Sequence, residues 1–499
     1  MTVHNHLGFF LKNSAVSGSV LIPKYYNPEI KAHLESLRHT HELMLFGELF
    51  RRGHIQSTTG DEIGKMAYDT GPIPFIRTSD ISNWEIKTDP KQGVSGAIYE
   101  QYASKQDVRP GDLLFVRDGT YLIGATCLLT EADSKILYQS HILKFRVGAD
   151  GLVSSPLLLA LLSAPIVRKQ IRAKQFTADI TADIIDTIGN RYYELILPFP
   201  RDSEIRSKIE KAVLAVVHNR VALRERLRRI PLWSQGLIPD LLAELPDVDS
   251  DQSEPIGNSG FIIQYGKIRS NIFIPRYYDP VVDEELRSLA ITHELISISD
   301  LVKKDVLTFD TGIEVGKMAY GTGPIPFIRT SDLSNWELKA DPKQNVSEDL
   351  YDHFKNKLDV RSEDLFVVRD GTYLVGTSCI LTEHDTRILY CGGLYKIRVK
   401  KKGELDPYLL LAILNCPIVK RQMRDKQFTR DVIDTLGKRI FEVILPIPRD
   451  KGLRERIARE TRETVLARVA LRDKAKQISL DVEGITEPGE EDKEFLETI

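Results

Sequence analysis

The chain has 499 residues, of which 42% are hydrophobic and 28% charged, and its formal net charge is −3. This length predicts several domains, and the absence of any run of about 18 apolar residues excludes ordinary membrane-spanning helices. The four cysteines are scattered without a Cys-x-x-Cys pair, which excludes a disulfide framework and a zinc module. The first residues lack a basic stretch followed by an apolar one, so we expect no secretory signal and a cytoplasmic protein.

The charge is unevenly distributed along the chain. Residues 231–260 hold six acidic residues and no Lys or Arg, and residues 479–499 hold eight acidic residues and one Lys. Without these two segments, the remaining body carries a formal charge of +10. A basic body with acidic connectors favours a polyanionic partner such as a nucleic acid, although an ordinary soluble surface can show the same pattern.

An internal repeat is the strongest feature of the sequence. Residues 64–92 match residues 316–344 at 25 of 29 positions, which is an offset of 252. The offset falls to 248 after residues 177–183, because the first copy has four extra residues there. Each copy is too long for a solenoid unit, so the sequence predicts two globular units, each with an appendage.

In each copy the predicted elements follow the same order. In the first copy, residues 28–38 predict a polar helix, and short apolar alternations broken by Thr-Gly-Pro and Arg-Asp-Gly predict strands and turns. Residues 156–175 then predict a helix and residues 191–199 a strand. His41 and His293 are expected on helices, as capping or packing residues.

Each copy ends in a long predicted helix with an apolar stripe. Asp202 is the expected N-cap of the first helix, which runs to Arg229, and Asp450 precedes the second. The stripes are expected to pack against each other, and Arg220 and Arg224 are expected to be solvated. The predicted order is a globule (1–200), a helix (201–230), an acidic linker (231–260), a second globule (261–448), a second helix (449–479) and an acidic tail (480–499).

Several catalytic signatures are absent from the sequence. It has no methyltransferase cofactor motif, no Asn/Asp-Pro-Pro-aromatic motif, no GxxxxGK[ST] phosphate loop and no GxSxG elbow. Glu85-Ile86-Lys87 and its copy Glu337-Leu338-Lys339 have the Glu-x-Lys spacing of metal-dependent nucleases, but the same alternation predicts a half-buried strand. The chain is therefore predicted to be non-catalytic and to hold no metal ion.

Two motifs carry a resemblance to a known family. The first lies in residues 64–92, around Gly-Pro-Ile-Pro-Phe-Ile-Arg-Thr-Ser-Asp-Ile, and the second is Asp-Leu-Leu-Phe-Val-Arg-Asp-Gly-Thr-Tyr at residues 112–121. With these motifs and its duplicated layout, nearly the whole chain resembles the specificity subunit of type I restriction-modification systems. The family usually has Gly soon after Arg-Asp-Gly-Thr, whereas here three residues intervene before Gly124.

The resemblance implies an α+β protein with two tandem mixed α/β target-recognition domains, at residues 1–200 and 261–448. Each domain would be followed by a long helix, and the two helices would pack as an antiparallel coiled-coil spacer. The chain would be a sequence-specific DNA-binding subunit of a phage-defence system, reading a bipartite duplex target. It would dock two adenine-N6 methyltransferase subunits, which would bind S-adenosylmethionine themselves, and a restriction motor subunit would be a further partner.

Side chains suited to bases and phosphates lie within and beside the two motifs. The candidate DNA contacts are Lys65, Tyr68, Arg77, Thr78, Ser79, Asn83, Arg117, Thr120, Tyr121, Gln139 and His141 in the first copy, and Lys317, Tyr320, Arg329, Thr330, Ser331, Asn335, Arg369, Thr372 and Tyr373 in the second. The candidate subunit-docking positions on the helices are Ile205, Ile209, Val213, Val217, Val221, Leu453, Ile457, Val465 and Val469.

Structural alternatives accompany these candidates. Arg77 can pair with Asp80 to fix a turn, Trp84 is expected in the core, and Asp118 with Gly119 is typical of a tight turn. Two other functions stay open for the whole chain: a stand-alone metal-dependent nuclease, and a phage-defence DNA sensor that reuses the same recognition domains.

The two copies diverge unevenly, which bears on the bases that each would read. Residues 44–58 match residues 296–310 at one of 15 positions, so this segment is predicted to help select bases, with relaxed surface packing as the alternative. Gln139-Ser140-His141 becomes Cys391-Gly392-Gly393, which removes hydrogen-bonding side chains. The two half-sites are therefore predicted to differ.

Overall fold

The structure is a computed structural model of the chain. It describes residue 16 and residues 20–90, 92–119, 122–149, 152–180, 183–244, 261–264, 266, 268–269, 272–342, 344–371, 374–430 and 433–484. Within these ranges, no helix is both long enough and apolar enough to cross a membrane.

The first half, residues 20–244, combines helices with short strands. Its helices are α1 (Pro28–Leu37), α2 (Phe46–Arg51), α3 (Gly96–Gln106), α4 (Ser155–Ser163), α5 (Pro165–Lys174) and α6 (Ser203–Gln235). Its strands are β1 (His41–Leu45), β2 (Ile55–Thr59), β3 (Ile73–Ile76), β4 (Ile81–Ser82), β5 (Glu85–Ile86), β6 (Gly93–Val94), β7 (Leu113–Val116), β8 (Thr126–Leu128), β9 (Leu137–Tyr138), β10 (Ile142–Val147), β11 (Phe176–Ile180), β12 (Asp183–Thr187) and β13 (Ile196–Pro200).

The second half, residues 261–484, repeats this order. Its helices are α7 (Pro280–Leu289), α8 (Ile298–Lys303), α9 (Glu348–Leu358), α10 (Pro407–Leu414), α11 (Pro417–Asp425) and α12 (Lys451–Gly484). Its strands are β14 (His293–Ser297), β15 (Leu307–Thr311), β16 (Ile325–Ile328), β17 (Leu333–Ser334), β18 (Glu337–Leu338), β19 (Asn345–Val346), β20 (Leu365–Val368), β21 (Ser378–Ile380), β22 (Leu389–Tyr390), β23 (Leu394–Val399), β24 (Phe428–Arg430), β25 (Ile433–Thr435) and β26 (Ile444–Pro448).

Equivalent sheets form in the two halves. An antiparallel sheet of order β2-β10-β7-β8 is matched by β15-β23-β20-β21. Strand β3 pairs antiparallel with β6 and parallel with β9, and β16 pairs in the same way with β19 and β22. The α+β class with a duplicated mixed fold is confirmed.

One helix at the centre of each half is apolar on every side. All residues of α10 are buried, as are residues 157–162 of α4. A helix that is hydrophobic all round needs to be covered all round, so these two helices become the centres of the cores. The strands and the long helix of the same half pack around them.

Several predicted elements are corrected by the structure. The helix expected over residues 156–175 is two helices, because Ala164 is extended (ψ 140°) as the residue before Pro165. The strand expected over residues 191–199 is the shorter β13, and it follows a 3-10 turn at Gly189–Glu194. His41 and His293 begin strands β1 and β14 instead of lying on helices.

The four extra residues of the first copy lengthen a hairpin. Five residue pairs join β11 to β12, whereas three join β24 to β25. The two added pairs contain four residues, which accounts for the fall in the offset between the copies from 252 to 248. The surrounding fold is unchanged.

The long helices α6 and α12, here called the rods, run antiparallel. Arg226 on α6 pairs with Glu460 on α12 at 2.9 Å, whereas Arg220, six residues earlier, meets Arg468. Asp202 caps α6 by accepting from the backbone of Glu204 at 2.7 Å, as predicted. The rods are longer than expected, since α6 continues to Gln235 and α12 to Gly484.

Each rod begins on its own half and ends on the other. At the end of α6, the carbonyl of Ser234 accepts from Nε2 of His293 at 3.0 Å, and Gln235 Oε1 accepts from the backbone of Ile418 at 3.0 Å. At the end of α12, the carbonyl of Val482 accepts from Nε2 of His41 at 2.6 Å. The packing role expected for the two histidines is confirmed, and the rods interlock the two halves.

A buried cluster of four charges lies where the rods cross and is here called the charge quartet: Glu85, Glu337, Arg220 and Arg468. Each guanidinium contacts both carboxylates, including Arg220 with Glu85 at 3.1 Å and Arg468 with Glu337 at 3.2 Å. Burial alone would raise the pKa of Glu85, but Arg468 and Arg220 hold it below its usual value. Each half contributes one acid and one base to the cluster.

Arg224 repeats this pattern beside the quartet. Its guanidinium donates to Asp133 at 2.6 Å, and the equivalent Arg472 pairs with Asp385 at 2.9 Å. The expectation that Arg220 and Arg224 are solvated is therefore wrong, because their side chains are 0% and 3% exposed. An apolar stripe cannot reveal such residues, since a buried arginine and a surface arginine look alike in sequence.

Candidate nucleic-acid interface

Three loops of the first half meet beside the ends of strands β3, β7 and β9. The backbone N–H of Gln139 donates to the carbonyl of Ile76 at 3.0 Å, and that of Arg117 donates to the carbonyl of His141 at 2.9 Å. These bonds bring together the first strand-end cluster, which we define as Arg77, Arg117, Asp118, Gln139 and His141. Motifs that are distant in sequence thus converge on one site.

Asp118 is the centre of this cluster. Its Oδ2 accepts from Arg117 Nη2 at 2.7 Å and lies 3.0 Å from His141 Nδ1, and its Oδ1 accepts from the Thr187 hydroxyl. Burial would raise the pKa of Asp118, but the hydrogen bonds from His141, Arg117 and Thr187 hold it below its usual value. The carboxylate therefore stays charged and fixes the orientation of Arg117 and His141.

The tight turn expected at Asp118 and Gly119 describes only part of the role of Asp118. Gly119 has a φ of +126°, a value that favours glycine, and its N–H donates to the carbonyl of Asp186 at 2.9 Å. The same Asp118 side chain joins the loop to β12 through Thr187. Sequence reasoning missed Asp118 as a positioning residue, although it stands inside the Arg-Asp-Gly-Thr motif.

The second half builds an equivalent site, the second strand-end cluster: Arg329, Arg369, Asp370, Cys391 and Gly393. Asp370 Oδ2 accepts from Arg369 Nε at 2.8 Å, and its Oδ1 accepts from the Thr435 hydroxyl at 2.5 Å. The N–H of Arg369 donates to the carbonyl of Gly393 at 2.9 Å. The hydrogen bond and charge of Asp370 raise the pKa of Arg369.

The two clusters share a frame but differ in what they present. His141 becomes Gly393, where a Cβ atom would lie 2.9 Å from the Thr330 side chain. Ser140 becomes Gly392, where a Cβ atom would lie 2.6 Å from Glu314 Oε1. In the second cluster, Thr330 and Glu314 therefore lie where side chains at these two positions would begin.

Arg77 and Arg329 each lead into a short 3-10 turn. The N–H of Arg77 donates to Asp80 Oδ2 at 2.9 Å, and the N–H of Arg329 donates to Asp332 at 2.8 Å. Burial raises the pKa of both Asp80 and Asp332. The proposed Arg77–Asp80 link does fix a turn, but the bond to the carboxylate comes from the arginine backbone.

The structure places the other candidates at three kinds of position. Lys65 and Lys317 are exposed. The ring of Tyr68 stacks on that of Phe75, with 5.7 Å between the ring centroids. Thr78, Ser79, Thr330 and Ser331 lie in the 3-10 turns at Thr78–Asp80 and Thr330–Asp332. Tyr320 lies 5.8 Å from Phe327, ring to ring. Thr120, Tyr121, Thr372 and Tyr373 lie outside the described residues.

Asn83 and Asn335 have a different role from the one expected. The amide of Asn83 donates to Glu337 Oε1 at 3.1 Å and accepts from the backbone of Ala340 at 2.9 Å. The amide of Asn335 donates to Glu85 Oε1 at 2.7 Å and accepts from the backbone of Thr88 at 2.8 Å. Both amide groups join the two halves and are bonded inside the protein, which corrects the expectation that they contact bases.

The two Glu-x-Lys segments have a structural role in the described fold. Glu85 and Glu337, the acids of the two Glu-x-Lys segments, are 3% and 1% exposed and are held by guanidinium groups of the quartet. A metal ion would have to displace both arginines from a closed interior. Elsewhere in the described ranges, no group of three His, Cys, Asp or Glu side chains is arranged to bind a metal ion.

The apolar stripes pack inside the chain. Ile209, Val213 and Val217 are buried with α4 and the end of α12, and Ile457, Val465 and Val469 are buried with the end of α6. Ile205, Val221 and Leu453 are partly buried. These nine positions therefore hold the rods in place, and a partner protein could reach the rods only through their other faces.

Comparison with known proteins finds similar solved structures. No protein-family model matches the sequence, and no curated protein matches it. The type I restriction-modification S subunit from M. genitalium matches 89% of this chain over 94% of its own, at 10% identity and a TM-score of 0.31. The chain is similar to type I specificity subunits.

Two further solved structures match over a comparable length. The HsdS subunit from Thermoanaerobacter tengcongensis matches 89% of this chain over 94% of its own, at 14% identity and a TM-score of 0.25. A structure described as the basis of complex assembly and conformational transition of the type I R-M system also matches. It covers 89% of this chain over 96% of its own, at 14% identity and a TM-score of 0.25.

Proposed function

We propose that this chain is the non-catalytic, sequence-specific DNA-binding subunit of a type I restriction-modification system. Its two strand-end clusters would each read one half of a bipartite duplex target. The observation that carries this proposal is the pair of clusters, which share one hydrogen-bonded frame and present different side chains. Interlocked rods hold the clusters at a set separation, as the reading of two spaced half-sites requires.

The chemistry of the clusters suits bases and phosphates. Arginine can donate two parallel bonds to guanine in the major groove. His141 is partly exposed and offers a ring nitrogen for hydrogen bonding, whereas Gln139 is buried and supports the cluster from within. Exposed Lys65 and Lys317 can contact phosphates, which position a protein without selecting sequence. The formal charge of +10 outside the two acidic segments supports the same class of partner.

We expect two adenine-N6 methyltransferase subunits as partners, one for each half, with S-adenosylmethionine bound by them. They would dock on the outward faces of the rods, where Leu214, Leu466 and Leu480 remain 37%, 45% and 44% exposed. A restriction motor subunit would join in systems that also cleave, and a cytoplasmic location follows from these partners.

The test is to express the chain with a type I methyltransferase subunit that copurifies with it and to map N6-methyladenine in the host DNA. We expect one bipartite motif, methylated only when both proteins are present. Methylation without this chain, or metal-dependent DNA cleavage by the purified chain alone, would contradict the proposal. The genes beside this one separate a methylation system from a defence sensor that uses the same fold.

A further inference from the structure

The chain exposes a methionine side chain at the same place in both halves. Met66 is 93% exposed and Met318 is 90% exposed, whereas Met423 is 1% exposed. Both exposed residues lie in a Gly-Lys-Met-Ala-Tyr segment that is identical in the two copies. The duplication thus keeps a large apolar side chain in water at equivalent positions of the two halves.

The exposure results from how the segment is anchored. In the first half, the N–H of Ala67 donates to the carbonyl of Gly64 at 2.9 Å, and the carbonyl of Ala67 accepts from the Thr70 hydroxyl at 2.8 Å. Ala67 and Tyr68 pack against the buried core that contains Phe75. With the residues after it held inward, Met66 points away from the protein on a fixed turn.

The second half repeats the same anchoring. The N–H of Ala319 donates to the carbonyl of Gly316 at 2.9 Å, and its carbonyl accepts from the Thr322 hydroxyl at 2.7 Å. Ala319 and Tyr320 pack against the core, which leaves Met318 outside. Both copies of the turn therefore present the same side chain.

The surroundings of each methionine point to a nucleic acid. Lys65 and Lys317 are exposed next to the methionines in sequence. The Arg77 guanidinium lies 6.0 Å from the Tyr68 ring, so the turn is continuous with the first strand-end cluster. An exposed apolar side chain next to an exposed lysine suits a base step bordered by phosphates.

We propose, on the basis of the function proposed above, that Met66 and Met318 are apolar wedges that press against one base step in each half-site. The strand-end clusters differ between the halves, whereas the methionines do not. Their contact must therefore be with a feature common to both half-sites, such as the apolar face of a base or the step between two base pairs. Methionine suits this role because its flexible, polarizable thioether adapts to different surfaces.

Methionine oxidation in the complete complex tests this directly. Dilute hydrogen peroxide converts exposed methionine to its sulfoxide, and peptide mass spectrometry gives a rate for each site. The probes are the chain alone, the chain with methyltransferase, and that complex with a duplex that carries the mapped motif. We expect the duplex to slow oxidation of Met66 and Met318 severalfold, and methyltransferase alone to leave both rates unchanged, with buried Met423 as the internal reference.

Matched variants give a second measurement. Met66→Ser with Met318→Ser should weaken binding of the target duplex about tenfold, because a wedge that supports unstacked bases is lost. Met66→Leu with Met318→Leu should retain most of the affinity. Leu242→Ser, at a residue 94% exposed beyond the end of α6, is the control and should leave binding unchanged.

The outcomes separate this inference from the proposed function. A complex that binds the duplex while both methionines oxidise at the free rate would overturn the wedge and leave DNA recognition standing. Protection by methyltransferase without DNA would also overturn it, by assigning the methionines to a protein contact. Failure of the complex to bind any duplex with a mapped motif would overturn the proposed function, and the wedge with it.

Discussion

Arg220 and Arg468 each donate to the backbone of the other. Arg220 Nη1 lies 3.2 Å from the carbonyl of Arg468, and Arg468 Nη1 lies 3.5 Å from the carbonyl of Arg220. Two like charges are held together in the interior because Glu85 and Glu337 neutralise both of them. The crossing point of the rods is therefore set by electrostatics as well as by apolar packing.

Removing one arginine of the quartet should destabilise the protein strongly. Arg220→Met would leave two buried carboxylates with one guanidinium, and breaking such a buried pair costs about 3–5 kcal/mol. We expect this loss in the free energy of unfolding, measured by urea denaturation. Arg226→Met, which removes a partly exposed ion pair with Glu460, is the matched control and should cost at most about 1 kcal/mol.

Replacing all four charges of the quartet with apolar residues of similar size should recover most of the lost stability, because no unpaired charge then remains. If Arg220→Met alone is as stable as the native chain, the quartet does not hold the rods.

Replacing Asp425, where the first copy has Ala173, should increase the stability of the protein in a pH-dependent way. Burial raises the pKa of Asp425 to about 6, and its Oδ2 is buried without a hydrogen bond from the described part of the chain. Because the folded-state pKa lies above the unfolded value, folding favours the protonated form. Stability from this group is thus present below about pH 4 and lost as the pH rises through 6.

Asp425→Ala should therefore raise the free energy of unfolding by about 1–2 kcal/mol at pH 7.5 and leave it unchanged near pH 4. Urea unfolding at both pH values measures the difference. A gain of equal size at pH 4 would assign the effect to the helix propensity of alanine instead of the charge.

Changing His141 should affect one half-site only. His141→Gly removes a side chain that Asp118 holds in place. It also gives the first cluster the glycine that the second cluster has at the equivalent position, Gly393. We expect looser base selection in the first half of the methylation motif and no change in the second. Methylome sequencing measures base selection in both halves of the motif. Altered selection in both halves would show that the two clusters do not act independently.

The first half alone should form a twofold dimer. In the full chain, Leu227, Ile230 and Trp233 of α6 pack in the core of the second half, so a fragment of residues 1–244 would leave them exposed. Their burial, worth about 1.5–3 kcal/mol for each large side chain, should drive two fragments together. Sedimentation measures the dimer, and with methyltransferase it should direct methylation to an inverted repeat of the first half-site.

The choice of disrupting variant for this fragment follows from the structure. Ile230→Glu with Trp233→Glu should prevent pairing while the globule stays folded. Ile209→Glu with Val213→Glu, which the stripe alone would suggest, should instead unfold the fragment, because both residues pack on α4 of their own half. A fragment that stays monomeric at high micromolar concentration would contradict the interlocked arrangement.

The resemblance to a known family implied the α+β class and the antiparallel packing of the rods. The sequence pattern itself predicted the repeat and the two long helices with apolar stripes, because these depend on periodicity and duplication. It could not predict the quartet or the crossed asparagines, since those depend on contacts between residues far apart in the chain. Asn83 and Glu85 stood in the best-matched stretch as candidates for DNA binding and for catalysis. Their side chains instead join the halves, which equally explains why both copies keep them.

Part of the divergence between residues 44–58 and 296–310 lies in the core, while base selection by this segment stays a prediction. Phe46 and Phe50 pack with Phe145 and Tyr192 in the first half. The equivalent residues of the second half are Ile298, Val302, Ile397 and Ile440. These four positions change together from aromatic to aliphatic, while Phe309 of the second segment makes its own ring contacts with Tyr395 and Phe441. Part of the divergence therefore accompanies a change in core packing.

The reciprocal composition of the quartet has an evolutionary consequence. Because each half supplies one glutamate and one arginine, any two halves that keep this pair can be joined without leaving a buried charge unpaired. Recombination between genes could then exchange one half for another and create a new combination of half-sites in a single event. The four buried residues would then have to stay the same for exchanged halves to fit together, whereas the residues of the strand-end clusters could change.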